Sequence, residues 1–335
     1  MDLPLTDPRC AGAVLAHATA TAQGGRLAKG TKLTARHVDA LRDAGVERIR
    51  VALLEPGDLS EDAAAARLAE GLVAGCDAIV AHGANTGRVN LFAKAPGVLM
   101  LDEAALHAFN RIDPSITVAT LPAFARVDAG QMIATIKIIP FAVPAKLVEA
   151  AERLLSPESF YVSDFAQGLR CLLVQTQLPT VKVSVLDKTA QLTSQRLAAI
   201  GCVVEGEQRT AHETEALASV LRDHAAEFDL VVIFGASAVA DNDDVIPAAI
   251  KRAGGTVQRV GMPVDPGNLL VIGDMGSSKV IGAPGCARSP KRNGFDWVIE
   301  RWSARLPIDD DAISAMGVGG LLAEIEDRPR PRAKR

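Results

Sequence analysis

Residues 229–255 read Asp-Leu-Val-Val-Ile-Phe-Gly-Ala-Ser-Ala-Val-Ala-Asp-Asn-Asp-Asp-Val-Ile-Pro-Ala-Ala-Ile-Lys-Arg-Ala-Gly-Gly. The unbroken apolar run from Leu230 to Phe234 is what a strand buried on both faces requires, and such strands belong to parallel sheets. Small residues follow at once, then acidic ones, then an apolar segment stopped by Gly254 and Gly255, as at a helix C-terminus. A strand leading through a tight loop into a helix is the repeating unit of an α/β fold.

The same alternation extends outward in both directions. Upstream, Val181–Asp187 reads as a short strand, residues 193–200 as a helix stopped by Gly201, residues 202–207 as a strand, and residues 212–228 as a helix with leucines at helical spacing. Downstream, residues 257–264 read as a strand, residues 268–284 as a hairpin about Asp274–Ser278, and residues 293–306 as a last helix. Strands separated by helices of this length imply parallel pairing through right-handed crossovers. The expectation is a doubly wound, mostly parallel α/β domain over residues 175–305.

Residues 1–174 mix short strands with helices and read as an amino-terminal α+β domain. Thr34 as N-cap and Gly45 as stop bracket a helix, and Val46–Leu54 is β-branched and apolar. Ser60 opens an alanine-rich helix whose first turn carries Glu61 and Asp62, matched to the helix dipole. Val98–Leu101, Ile116–Leu121 and the β-branched stretch 131–143 are further apolar segments. Residues 306–335 form a tail, expected to be partly disordered, that opens on three aspartates and ends Arg-Pro-Arg-Pro-Arg-Ala-Lys-Arg.

Composition narrows the function classes. A net charge of −4 and an aromatic content of 4% argue against nucleic acid as partner. No apolar run reaches the roughly 20 residues that span a bilayer. The first residues, with Asp2 and Asp7, lack a basic leader. Cys10, Cys76, Cys171, Cys202 and Cys286 form no Cys-x-x-Cys pair, which fits reduced thiols. The expected setting is cytoplasmic, with no membrane partner. The six histidines form no His-x-x-x-His pair and read as surface or satisfied residues.

In open α/β sheets ligands sit outside the carboxyl ends of the strands, so the loops there are where function is sought. Three stand out. In residues 235–244, small residues allow close backbone approach and the amides of Gly235, Ala236 and Ser237 suit a phosphate. Asp241 and Asp243 either share a hydrated magnesium ion or cap the helix beginning near Val245. The second loop is Asp265-Pro266-Gly267-Asn268, a turn signal. The third is Ala283-Pro284-Gly285-Cys286-Ala287-Arg288-Ser289, small residues beside cations. Cys286 reads as a reactive thiol or an inert small residue.

The order of these loops resembles the molybdopterin-binding family that includes MoaB, MogA and MoeA. Its Gly-Gly-x-Ser-x-Gly-Asp-x-Asp loop falls on Gly235–Asp243, its Pro-Gly-Lys-Pro element on Pro266-Gly267-Asn268, and its Leu-Pro-Gly-Asn-Pro element on Ala283–Ala287. Residues 29–33 and 39–51 resemble the MoeA lead-in, and residues 316–325 resemble bacterial proteins that carry a MobA-like nucleotidyltransferase after this domain. There are departures. The family's strand-end Thr-Gly-Asp-Glu falls on Leu186-Asp-Lys-Thr189, its Asp-Asp before the second helix on His212-Glu213, and its lysine on Asn268. The resemblance implies a MoaB/Mog-like fold and a molybdopterin-binding protein of molybdenum-cofactor biosynthesis. Its substrate contacts would be Gly235, Ala236, Ser237, Pro266, Gly267, Asn268, Pro284, Gly285, Cys286, Arg288 and Ser289. Asp241 and Asp243 would be catalytic and hold Mg2+, with ATP for adenylyl transfer or molybdate for insertion. The alternative is a non-catalytic carrier working with a separate MobA-like nucleotidyltransferase or a molybdoenzyme. Homo-oligomers are implied by the same analogy.

Overall fold

The alternation read in the second half resolves into a six-stranded sheet. In a computed structural model describing residues 1–156 and 158–322, its strands lie in the order Cys202–Ala211, Leu169–Gln177, Leu230–Phe234, Ser278–Ala283, Val271–Met275, Thr256–Val260. The first four pair in parallel and the last two pairings are antiparallel. Two reversals in succession leave Thr256–Val260 running with the first four, so Val271–Met275 runs against the other five. The fold is mixed α/β with a mostly parallel sheet. The hairpin read about Asp274–Ser278 is present, turning at Gly276 with φ 61°.

One expected element is corrected. Val181–Asp187 is not a strand; residues Val183–Ala198 form a 16-residue helix, and the strand is Leu169–Gln177, which straddles the expected boundary between residues 174 and 175. Val183 and Val185 are 61% and 44% exposed, whereas Leu186, Thr189, Thr193 and Leu197 are buried. That spacing of 3 and 4 is one face of a helix. Two valines had imitated the alternation of a strand.

On one side of the sheet, Leu172, Val174, Val231, Ile233, Val271 and Val280 pack in a single core cluster with Leu217 and Leu221 of helix Thr214–His224 and Ile246 and Ile250 of helix Val245–Arg252. Phe234 instead meets Phe295 of helix Gly294–Ser303, ring centroids 6.3 Å apart. Asp310–Ala315 forms a further helix capped by Asp309, and Asp265 bridges Leu321. The basic Arg-Pro-Arg-Pro end of the tail lies outside the described residues.

The chain divides into two compact units, Met1–Val162 and Ser163–Arg335. Within the first, Ala35–Asp43 is the helix capped by Thr34, whose side chain accepts the His37 amide, and Gly45 ends it with φ 76°. Leu41, Ile49, Val51 and Leu15 close a small core there. A second core packs Ala64, Leu68 and Leu72 of helix Glu61–Val73 on an antiparallel sheet in the order Ile116–Thr120, Met132–Ile138, Arg88–Ala93, Ile79–Asn85. The polar stretch 81–88 forms the end of one of these strands and its turn at Thr86-Gly87.

Candidate functional site

Four parallel strands end at Gln177, Ala211, Phe234 and Ala283, and the loops after them leave from one edge of the sheet. Because Thr256–Val260 runs the same way, residues 261–270 leave from that edge too. All three loops singled out in the sequence therefore share it, where α/β sheets hold their ligands.

Gly235 begins the first loop. A Cβ there would lie 2.7 Å from the Ser237 carbonyl oxygen and 3.8 Å from His212 Cε1, so only glycine fits. The next amide, Ala236, donates to Thr176 Oγ1 at 2.9 Å, and that buried hydroxyl lies 2.8 Å from His212 Nδ1. The Ala236 amide is thus engaged within the protein rather than turned to a phosphate. Ser237 is exposed. The acidic run closes on itself: Asp241 Oδ1 accepts the Asp243 amide at 2.8 Å, and the Asp244 carboxylate accepts the amides of Ala240 and, at 3.1 Å, Asp241. Those amides, Ala240 first, hold the Asp244 carboxyl below the usual aspartate range. Asp244 occupies the N-cap position of helix Val245–Arg252 without a side-chain cap bond, so the capping reading of Asp241 and Asp243 does not hold. Both are exposed. Among the described residues, no group of three or more His, Cys, Asp or Glu is placed to hold a metal ion. Two exposed carboxylates, one already accepting an amide, do not fit a preformed magnesium site.

The third loop ties the others together. Pro284 is buried, and Gly285–Arg288 makes one 3-10 turn. Arg288 Nη2 donates to the Gly235 carbonyl oxygen at 3.2 Å, its Nη1 to Thr189 Oγ1 at 2.7 Å, and its guanidinium lies over the Phe234 ring, 5.0 Å from the centroid. At its far end, the Gly294 amide donates to the Pro266 carbonyl oxygen at 2.9 Å. Gly267, in the middle loop, has φ 140°, and a Cβ there would fall 2.7 Å from the Gly294 nitrogen, so glycine is required by contact as well as by turn. Asn268 is exposed, and the Asp265–Pro266 bond is cis. Cys286 is half-buried and burial pushes its thiol pKa up, which favours the inert reading. Ser289 Oγ accepts the Lys291 amide.

Arg196 was not singled out in the sequence. From helix Val183–Ala198 it donates to the carbonyl oxygens of Ala287, Ser289 and Lys291 and pairs with Asp296 at 3.0 Å, both side chains largely buried. Thr176 and His212 were missed as well. His212, set aside as a satisfied histidine, lines an open cleft of about 480 Å3 with Gln177, Leu178, Pro179, Val181, Ala211 and Glu213. Its place directly before a helix was the available signal. The family's Thr-Gly-Asp-Glu position also moves: Leu186–Thr189 lies inside a helix, and the strand end is Thr176-Gln177.

A family model described as a probable molybdopterin binding domain matches residues 173–303. Over residues 173–303 the chain is similar to that family. The matched span starts within strand Leu169–Gln177, ends at Ser303, the last residue of helix Gly294–Ser303, and contains all three loops. No curated protein sequence matches the chain. Among solved structures, a molybdopterin biosynthesis MoeA protein from Pyrococcus horikosii aligns at 10% identity and TM-score 0.32, covering 91% of this chain and 74% of its own. A molybdenum cofactor biosynthesis protein from Pyrococcus furiosus aligns at 12% identity and TM-score 0.27, covering 91% of this chain and 64% of its own. A molybdopterin biosynthesis protein from Mycobacterium abscessus aligns at 16% identity and TM-score 0.25, over 41% of this chain and 92% of its own. Among the described residues, no helix is long and apolar enough to cross a membrane.

Proposed function

We propose that this chain binds molybdopterin at the carboxyl edge of its six-stranded sheet and serves molybdenum-cofactor biosynthesis. One observation carries the reading. Within the span matched by the molybdopterin-binding family, the 284–294 loop bonds to both other small-residue loops, through Arg288 to Gly235 and through Gly294 to Pro266. The ligand's contacts are then Gly235, Ser237, Pro266–Asn268, Pro284–Cys286, Arg288 and Ser289, with Ala236 shaping the loop through its bond to Thr176. We read the domain as a doubly wound MoaB/Mog-like unit over residues 175–305, with residues 1–174 as its amino-terminal lead-in.

The geometry favours binding and handing on over metal-assisted transfer. Asp241 and Asp244 spend their carboxylates on a local turn, and His212-Glu213 stands where an acidic pair is expected. Magnesium needs carboxylates turned toward the ligand's phosphate oxygens. On this reading the molybdopterin passes to a MobA-like nucleotidyltransferase or a molybdoenzyme, and the chain works as a homo-oligomer. The rival reading, carried by the retention of Asp241 and Asp243 themselves, is adenylyl transfer from ATP or molybdate insertion. The test incubates the full chain with molybdopterin, ATP, magnesium and molybdate. Tight pterin binding without turnover is expected. Turnover that drops in Asp241→Ala overturns the carrier role in favour of the transferase, and absence of pterin binding overturns both.

A further inference from the structure

We propose that Arg288 receives the anionic end of the ligand at this site and makes it select phosphorylated over unphosphorylated forms; this rests on the molybdopterin reading above. Arg288 is half-buried at the strand ends. Its described partners are all neutral: Thr189 Oγ1, the Gly235 carbonyl oxygen, Gln175 Oε1 at 3.5 Å and the Phe234 ring. The orientation of Gln175 is set from its other end. Its amide nitrogen donates to the Leu186 carbonyl oxygen at 2.9 Å and to Glu207 Oε1 at 3.0 Å, which turns the amide oxygen to the arginine.

The neighbouring cations differ. Arg196 pairs with Asp296 at 3.0 Å and Arg292 with Glu300 at 2.6 Å. For Arg288, burial draws the pKa down and no carboxylate raises it. A guanidinium partly withdrawn from water without a counter-charge is costly, and an arriving anion offsets that cost. The fork is also incompletely used. Of its five N–H groups, the bonds above engage two on Nη1 and one on Nη2, leaving Nε–H and a second Nη2–H without a partner among the described residues. Two adjacent donors on one planar group suit bidentate capture of a phosphate. Arg196, gripping three carbonyls of the same loop, holds Arg288 at this position.

Titration calorimetry of the full chain with molybdopterin, with its dephosphorylated form and with inorganic phosphate tests this. Wild type is expected to bind the phosphorylated pterin on the order of ten- to a hundredfold tighter than the dephosphorylated one, the scale of charge-assisted bonds. Arg288→Met is expected to abolish that preference, weakening the phosphorylated form by the larger factor and bringing the two affinities together, while Arg288→Lys restores part of it. A preference unchanged in Arg288→Met overturns the role of Arg288 and leaves the pterin reading standing. Failure of wild type to bind either pterin overturns the pterin reading and this proposal with it. If Arg288→Met does not fold, phenylglyoxal labelling of wild type decides: molybdopterin, but not its dephosphorylated form, must shield Arg288.

Discussion

The small groups at the carboxyl edge are joined by hydrogen bonds that span long stretches of chain, and single substitutions expose them. Thr176 takes the Ala236 amide from a loop 60 residues away and touches a histidine 36 residues away. Thr176→Val keeps the shape and strands both polar partners, so a loss of about 1–3 kcal/mol is expected in urea unfolding. Gly267→Ala drives a methyl into the Gly294 backbone at a φ that side chains rarely adopt, for a loss of similar size, roughly 1–3 kcal/mol. A loss below about 0.5 kcal/mol for either would mean that the loops are not locked as described. Asp244 gives a prediction in pH. Its folded pKa is lowered by the Ala240 and Asp241 amides, so its stabilising effect is complete above the unfolded value of about 3.9 and disappears as pH falls through the folded value. The Ala240 and Asp241 amide resonances should therefore hold their positions down to about pH 4 and titrate below it. A midpoint at or above that of a free aspartate counts against the turn. These residues also mark what the sequence hides. Gly235, Gly267 and Pro284 were legible because turns have local chemical signatures. Thr176, His212 and Arg196 were not, because their partners are brought to them only by the sheet.

Secondary-structure elements were legible where one periodicity ruled. Leu230–Phe234 is apolar at every position because the strand is buried on both faces, and it lies as read. The helix after Thr34 and the one after Ser60 follow from their caps. Residues 181–187 failed because Val181, Val183 and Val185 repeat every second residue like a strand, while the face that counts, Leu186–Thr189–Thr193–Leu197, begins only at the end of that window. Misplacing that element shifted the neighbouring strand and, with it, the family's strand-end motif. The corrected assignment has a direct test in paired substitutions. Val183→Lys and Val185→Lys, on the open face, should each change stability by less than about 0.5 kcal/mol. Leu186→Ala should cost about 2–5 kcal/mol, because that side chain is fully buried. A strand with these valines inward would give the opposite pattern, since Val183 and Val185 would share the buried face and Leu186 would lie on the other.

At the scale of the whole chain, the division between Val162 and Ser163 separates cores that share no residue. Leu68, Leu91 and Ile136 belong to one cluster, Leu15, Leu41 and Val51 to another in the same unit, and Val231, Ile233 and Ile250 to a third in the carboxy-terminal unit. A chain built on separate cores has no reason to melt as one cooperative block. Calorimetry of the full chain should therefore show a heat-to-van't Hoff enthalpy ratio above one, resolving into at least two transitions. Substitutions then assign them. Leu91→Ala should lower one transition and Val231→Ala another, each by about 2–4 °C for every kcal/mol lost. The functional reading adds a third lever, because a ligand that binds only the folded carboxy-terminal unit raises only that unit's transition. Molybdopterin should move the transition that Val231→Ala lowers and leave the Leu91 transition in place. If both move together, the units unfold as one, and the separation of their cores has no thermodynamic counterpart.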